Sequence, residues 1–352
     1  MSTISDVARQ AGVSAMTVSR VINNSGYISP ETRERVEKAI LDLGYVPNAL
    51  ARSLRFKQTK TLALVLTDIT NPFFTTIARG VEDAASEQGF SVIFCNTDES
   101  ESKEAEYLNV VLQKQVDGLL LVPACYSGDS VTFLQERKVP VVVLDRRVSD
   151  VKVDTLRCDS EEGAYQLTRH LLNLGHTRIA ILSGPSSVST ATDRVAGYRR
   201  ALGEAGLGSH SELVYHGEYS QASGHQMALQ ALAVTPRPTA LFAANNFIAS
   251  GAFHIVREAG LRVPEDISIV SFDDLPTAAD MGLSLTVAAQ PAYEMGRRAT
   301  ELLLTRLAGE GPAEPQEIVL PTEIIVRGSS APPPAEPLPV HYLMDTPGKA
   351  HA

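Results

Sequence analysis

From Thr61 onward the chain repeats one pattern, a short and almost wholly apolar run followed by a helical stretch. The runs TLALVLTD, SVIFCNT, VDGLLLVP and VPVVVLD are near-continuously apolar, as expected of strands covered on both faces of a parallel sheet. VDTLRCD follows, and the cycle restarts with RIAILSG, LVYHGE, ALFAAN and SIVSFD, alternating with helices such as EEGAYQLTRHLLNLG. This grammar predicts two doubly wound α/β units in series. After SLTVAAQP come one more helix, AYEMGRRATELLLTRLAG, and a last extended stretch, IVLPTEIIVRG. From Ala331 the composition turns Pro-rich, which predicts a disordered tail over 331–352.

The first sixty residues carry no strand pattern. Ser5 is the expected cap of a first helix with Val7, Ala8 and Ala11 on its inner face. Gly12 breaks it, and Ser14 caps a second helix, AMTVSRVINN. A third starts at Ser29 and Pro30, turns Val36, Ile40 and Leu43 inward and stops at Gly44. Three short helices with a glycine-containing turn between the first two fit a helix-turn-helix domain.

Charge divides the chain in the same place. Residues 1–60 hold nine Lys/Arg against five Asp/Glu, and the remainder holds 22 against 36. A basic end on an acidic body is the asymmetry of a DNA-binding head on a ligand-binding trunk. At 352 residues the chain exceeds the length at which single cores split, about 250–300 residues. No run reaches the ~18 apolar residues of a membrane span, and MSTISDVARQ has no apolar signal core. Cys95, Cys125 and Cys158 are few, odd in number and far apart, so a reducing cytoplasm is expected, without a disulfide framework or zinc site.

Between head and body lies NALARSLRF, residues 48–56. Its leucines, Leu50 and Leu54, are one helical turn apart and its composition is helix-forming, yet isolated helices below about 12–15 residues are marginal in water.

Residues 1–330 resemble the LacI/GalR family of bacterial transcription regulators. The resemblance rests on ISDVARQAGVSAMTVSRVINN and ETRERVEKAILDLGYVPNALARSL in the head. In the body it rests on TNPFF, VDGLLL, LGHTRIA, GYRRAL, RPTALFA, VPEDISIVSFDD and AAQP, in that order. The fold it implies is α/β. A small all-α helix-turn-helix head (1–47) is joined by a hinge helix and linker (48–60) to an effector-binding and dimerisation body (61–330). That body has two doubly wound parallel-sheet subdomains, periplasmic-binding-protein-like, over about 61–158 with 291–319 and about 159–290 with 320–330.

The resemblance puts the second helix in the major groove of operator DNA. Ser14, Thr17 and Ser19 offer hydroxyls to phosphates, with Thr3 and Asn23 beside them, and fix register without reading sequence. Arg20 presents a fork to guanine O6/N7, a contact that discriminates by about 1–3 kcal/mol. Ala15 and Met16 occupy the positions that choose the operator among relatives; both are apolar, so contacts to thymine methyls are expected. In the family the hinge folds when two copies meet on DNA and enters the minor groove. Here Asn48, Ala51, Ser53 and Leu54 match, Leu54 being the apolar wedge, with Arg52 and Arg55 near phosphates.

Open parallel sheets bind ligands outside the carboxyl ends of their strands. Those ends offer Asp68, Asn71, Phe73 and Phe74, then Asp145 and Arg146, and in the second unit Tyr219, Asn245, Asn246, Asp273 and Asp274. Arg194 is expected to begin a helix just past the SGPSS loop. Forked donors, carboxylate acceptors and an aromatic plate are what a carbohydrate site needs, and the resemblance makes Arg194 and Asp273 effector contacts. Relatives often carry Asn-Asp where Asn245-Asn246 stand here. A neutral sugar is therefore favoured, with a sugar acid or phosphate left open by Arg146 and Arg147. VIFCNT and VDGLLL lean toward ribose- and purine-type regulators.

No GxSxG, HExxH, GxxxxGK[ST] or strand-linked GxGxxG is present, the eight histidines are scattered, and no catalysis, metal or cofactor is expected. The expectation is a homodimeric, cytoplasmic regulator, a repressor of a sugar-utilisation operon on a near-palindromic operator. Control by a purine or a phosphocarrier protein, or a sugar-binding sensor without DNA function, are the alternatives.

Overall fold

The computed structural model describes residues 2–46, 58–208, 211–274 and 284–335. The chain divides into two compact units, a head and a body that begins at Lys60. The head holds α1 (Ile4–Ala11), α2 (Ala15–Ile22) and α3 (Pro30–Leu43). Thr3, not Ser5, caps α1: its hydroxyl accepts from Asp6 N–H while the Asp6 carboxylate accepts from Thr3 N–H at 2.9 Å. This reciprocal box satisfies two otherwise unpaired amides, which Ser5 inside the first turn cannot do. Gly12 follows at φ +65°, a left-handed corner open to glycine at little cost, and turns the chain into α2.

Ser14 and Ser29 cap α2 and α3 as expected, with Pro30 in the first turn of α3. The second helix stops at Ile22, two residues short of the expected end, where Asn23 caps it and Asn24 turns left-handed. Val7, Ala8, Ala11, Val18, Val21, Val36 and Ala39 form the core, with Ile40 and Leu43 half-buried at its edge. The hinge candidates Asn48, Ala51, Arg52, Ser53, Leu54 and Arg55 lie outside the described residues.

The body contains two six-stranded sheets. The first comprises β1 (Thr61–Leu66), β2 (Ser91–Asn96), β3 (Gly118–Leu121), β4 (Val141–Leu144), β5 (Asp154–Cys158) and β11 (Glu317–Leu320), in spatial order 11-5-4-3-1-2. All its pairings are parallel. The second comprises β6 (Ile179–Ser183), β7 (Val214–His216), β8 (Ala240–Ala243), β9 (Ser268–Phe272), β10 (Thr286–Ala289) and β12 (Glu323–Ile325), in order 12-10-9-8-6-7. Its edge strand β12 runs antiparallel to β10, so this sheet is mixed rather than wholly parallel.

Among the described residues, eight helices connect and flank the strands: α4 (Pro72–Glu87), α5 (Glu101–Gln113), α6 (Asp129–Glu136), α7 (Ser160–Asn173), α8 (Ser189–Glu204), α9 (Gln221–Ala233), α10 (Asn246–Glu258) and α11 (Ala292–Ala308). The chain passes between sheets after β5, after β10 and between β11 and β12. Each sheet reverses winding between its first and third strands, which opens a crevice at their carboxyl ends.

Helix α4 meets α11 through glycines. A Cβ on Gly80 would lie 2.1 Å from the Tyr293 carbonyl oxygen, and one on Gly296 would lie 2.1 Å from that of Ile77. Both contacts are to backbone, so relief requires the helices to separate. Gly80→Ala is expected to destabilise the body by about 1–3 kcal/mol; an unchanged urea midpoint would refute this packing.

The tail does not begin as a free segment at Ala331. Ala331 N–H donates to Ser268 Oγ (3.1 Å), and its carbonyl oxygen accepts from Ser268 Oγ (3.1 Å) and lies 2.8 Å from His176 Nε2. Composition predicts looseness from the prolines but is blind to these bonds. The rest of the expected tail, 336–352, lies outside the described residues.

Candidate functional site

The residues expected to meet DNA bases lie on the exposed side of α2. Ala15, Met16 and Arg20 face solvent, Met16 with 66% of its surface exposed. The hydroxyls expected at phosphates are engaged locally. Ser14 and Thr17 hydroxyls lie 3.0 Å apart, and Thr3 Oγ1 donates to Asp6 at 2.7 Å. The Asn23 amide donates to the Ser19 carbonyl (2.7 Å) and to Ser19 Oγ (3.3 Å). These contacts hold the side chains at the start of α1 and at the start and end of α2, and each hydroxyl oxygen retains acceptor or donor capacity.

Of the residues expected at the strand ends, together with Arg194, all but Asn246 and Asp274 line one cavity of about 40 Å³ between the two sheets. Asp68, Phe73, Phe74, Asp145 and Arg146 come from the first sheet and its helices; Arg194, Tyr219, Asn245 and Asp273 come from the second. Asn71 lines it too, as its place after the first strand leads one to expect, and it caps α4 by accepting from Phe73 N–H at 3.0 Å. Glu99 and Thr190 also line it and were missed by sequence reasoning. Glu99 carries no local signal, since its partner lies 47 positions away.

Asp145 and Asp273 occupy equivalent places, each directly after the fourth strand of its sheet. Both sit at left-handed φ, +64° and +65°, which turns their carboxyl groups out of the strand line and into the crevice. Burial raises both carboxyls above their ordinary range, Asp273 to about 6, against the pull of Arg194 in each case and of Arg146 on Asp145. Gln290 Nε2 donates to Asp273 Oδ1 at 2.7 Å, so this residue of the expected AAQP string belongs to the site as well.

Arg194 lies in the second turn of α8, which starts at Ser189, rather than at a helix start. Thr190 is thereby placed in the first turn, and its hydroxyl lies 3.2 Å from that of Tyr219. The Arg194 guanidinium donates to the Ala244 carbonyl (2.6 Å) and lies over the Phe272 ring, 3.8 Å from its centroid. Phe73 and Phe74 meet edge-on with ring centroids 5.1 Å apart, and both also belong to the core beneath the first sheet. Asn245 caps α10 by accepting from Ile248 N–H at 2.8 Å, which leaves its amide N–H groups as its contribution to the cavity. Asp68 accepts from Thr70 N–H and from the Thr70 hydroxyl.

Three polar atoms of the cavity residues have no hydrogen-bond partner although buried: Arg146 Nε and Arg194 Nε, which donate, and Asp145 Oδ1, which accepts. Direct bonds close the lobes around them. The Asn71 and Asn246 amides exchange hydrogen bonds of 3.2 and 2.9 Å, and Arg147 N–H donates to Ser189 Oγ at 2.8 Å, with its side chain paired to Asp193. Among the described residues no cluster of three or more His, Cys, Asp or Glu fit for a metal ion is found, and no helix is long and apolar enough to cross a membrane.

Known proteins agree with this two-part build. Residues 3–48 match bacterial regulatory proteins of the lacI family, and residues 59–325 match the periplasmic binding proteins and sugar binding domain of LacI family. The transcriptional regulator DegA of Bacillus subtilis is 38% identical over 94% of this chain and 98% of its own length. The transcriptional repressor PurR of Photobacterium profundum is 35% identical over the same shares.

Among solved structures, the lac repressor dimer bound to operator and the anti-inducer ONPF superposes with a TM-score of 0.84. It is 29% identical, covering 94% of this chain and 99% of that one. A CelR regulator in complex with cellobiose gives 0.72 at 35% identity, covering 94% and 100%. A regulator from Enterococcus faecium with bound ribose gives 0.70 at 32% identity, covering 77% and 99%.

Proposed function

The chain belongs to the LacI family of bacterial regulatory proteins, and on that footing we propose that it represses a sugar-utilisation operon under control of a neutral, single-ring sugar, with an aldopentose such as ribose as the first candidate. It is a DNA-binding regulator with a sugar-binding domain, not an enzyme.

The observation that carries the sugar reading is the set of unpartnered atoms. Two buried donors and one buried acceptor belong to residues of one cavity, and a hydroxyl group donates and accepts at once. A polyol answers both kinds, whereas an anion answers only the donors. A single ring is taken first as the smaller of the two sugars bound by relatives, ribose and cellobiose. The ribose-bound relative supports the same choice.

A purine effector is the second reading, favoured by the likeness of VIFCNT and VDGLLL to purine-type regulators. Asp145 and Asp273 can take only the N–H groups of a purine, whose ring nitrogens and carbonyl oxygen then need the arginines or amides of the cavity. Thermal-shift measurements on the full chain with pentoses, hexoses, cellobiose and purines test this, because a ligand of the native state raises its melting temperature by mass action. Stabilisation by hypoxanthine or guanine and by no sugar would overturn the sugar assignment.

On DNA, the reading places α2 of each protomer of a homodimer in the major groove of one half of a near-palindromic operator. Arg20 supplies the fork to guanine, Ala15 and Met16 the apolar contacts to thymine methyls, and Thr3, Ser14, Thr17, Ser19 and Asn23 the phosphate contacts. Asn48, Ala51, Arg52 and Leu54 form the minor-groove hinge in this proposal. The effector acts by binding two arrangements of the dimer with unequal affinity. Site selection with Met16→Gln is expected to return a changed base preference at one position per half-site; the native preference would exclude Met16 from readout.

A further inference from the structure

Of the two arginines at the cavity, Arg146 already has its forked face taken. Glu99 receives Nη1–H and Nη2–H of Arg146 on its two oxygens, both at 2.6 Å, and Nη1 also donates to the Pro123 carbonyl at 2.9 Å. The Arg146 side chain is 3% exposed and that of Glu99 27%, so the pair closes the inner wall with its carboxylate toward the rim. Asp145 Oδ2 lies 3.8 Å from Arg146 Nε on the other side.

Glu99 is held there by its loop. Asp98 and Glu99 both take left-handed φ, +52° and +58°. Asp98 is fixed by the Lys103 ammonium and the Asn96 amide, each at 2.5 Å, and Glu99 N–H donates to the Thr67 carbonyl at 3.3 Å. The backbone thus carries the carboxylate to Arg146 by a conformation that side-chain-bearing residues seldom adopt.

We propose that Glu99 is a specificity-determining residue that excludes anionic effectors. It fills the bidentate face of Arg146 that a sugar carboxylate or phosphate would use, so the cavity accepts uncharged sugars over their acids and phosphate esters. An incoming anion has to break a half-buried, two-point ion pair and then settle beside Asp145 and Asp273. Selectivity is therefore built from repulsion as well as attraction. This rests on the assignment of the cavity as the effector site in the proposed function.

The test uses the full native chain, Glu99→Gln and Glu99→Ala, each checked for fold by circular dichroism. Calorimetric titration compares ribose with ribonate, a neutral and a carboxylate ligand of one skeleton, and thermal shift is read with inorganic phosphate. The affinity ratio of ribonate to ribose is expected to rise about tenfold or more in both variants, the scale of one lost like-charge contact. Phosphate is expected to stabilise the variants and not the native chain. A ratio unchanged within about twofold in folded variants overturns the role of Glu99. If ribose does not bind the native chain, the pentose assignment fails, and the phosphate arm still decides. Stabilisation of the variants alone sustains the role; stabilisation of neither, or of all three equally, overturns it.

Discussion

Arg194→Ala is expected to leave operator binding intact while weakening effector binding about a hundredfold or more, the scale of removing one partner from a buried charged cluster. Arg194 is 3% exposed, and its charge draws down the carboxyl groups of both Asp145 and Asp273, which burial pushes up. Alanine removes that pull, so both acids take up protons more readily and lose strength as acceptors for sugar hydroxyls. It also removes the bond to Ala244 and the cover over Phe272, which opens the floor of the cavity. Arg194→Lys keeps the charge but lacks the planar fork, and is expected to fall between.

The head supplies the control. Its core of Val7, Val18, Val21 and Val36 is complete within residues 2–46, so its fold does not depend on the cavity. Operator gel shifts against effector concentration read both effects together. A variant whose operator binding still responds at the native effector concentration would remove Arg194 from the site.

Why the site was so legible follows from where parallel sheets end. Once the apolar runs were taken as buried strands, the polar residues directly after them had to gather at one crevice, and Asp145, Arg146, Asn245 and Asp273 did. What the runs could not convey was which polar atoms are already committed. Asn245 reads as a ligand donor, yet its oxygen is taken by the helix it starts. Arg146 reads as a free cation, yet Glu99 comes to it from a loop whose left-handed backbone leaves no mark in a single sequence. The Thr3 cap was displaced to Ser5 because both are hydroxyl residues near the helix start, and only the bond to Asp6 distinguishes them. The antiparallel turn of β12 is equally silent, since three residues at a sheet edge read alike in either direction.

Effector binding is expected to depend on pH through Asp273. Burial raises its carboxyl to about 6, with Arg194 and the Gln290 amide opposing. The ordinary value of such a carboxyl is about 4, so the proton is held more tightly in the folded chain. For stability alone, this favours the folded state at low pH, and the contribution is lost as pH rises from about 4 through about 6.

Effector binding runs the other way. A sugar hydroxyl donating to Asp273 requires the ionised form, so affinity is expected to be level above about pH 6 and to fall below it, by about tenfold between pH 7 and pH 5. Asp145, also raised by burial, adds to the same slope. Asp273→Asn keeps the shape and the contact with Gln290 but removes the titration. It is expected to lower affinity at pH 7.5 by ten- to about a hundredfold, the scale of a hydrogen bond to a charged group, and to flatten the pH profile to the residual slope of Asp145. Titration calorimetry from pH 5 to 8 reads both quantities. A native profile that is flat across this range, or a variant that keeps the native slope, would mean that the effector does not draw on the ionised Asp273.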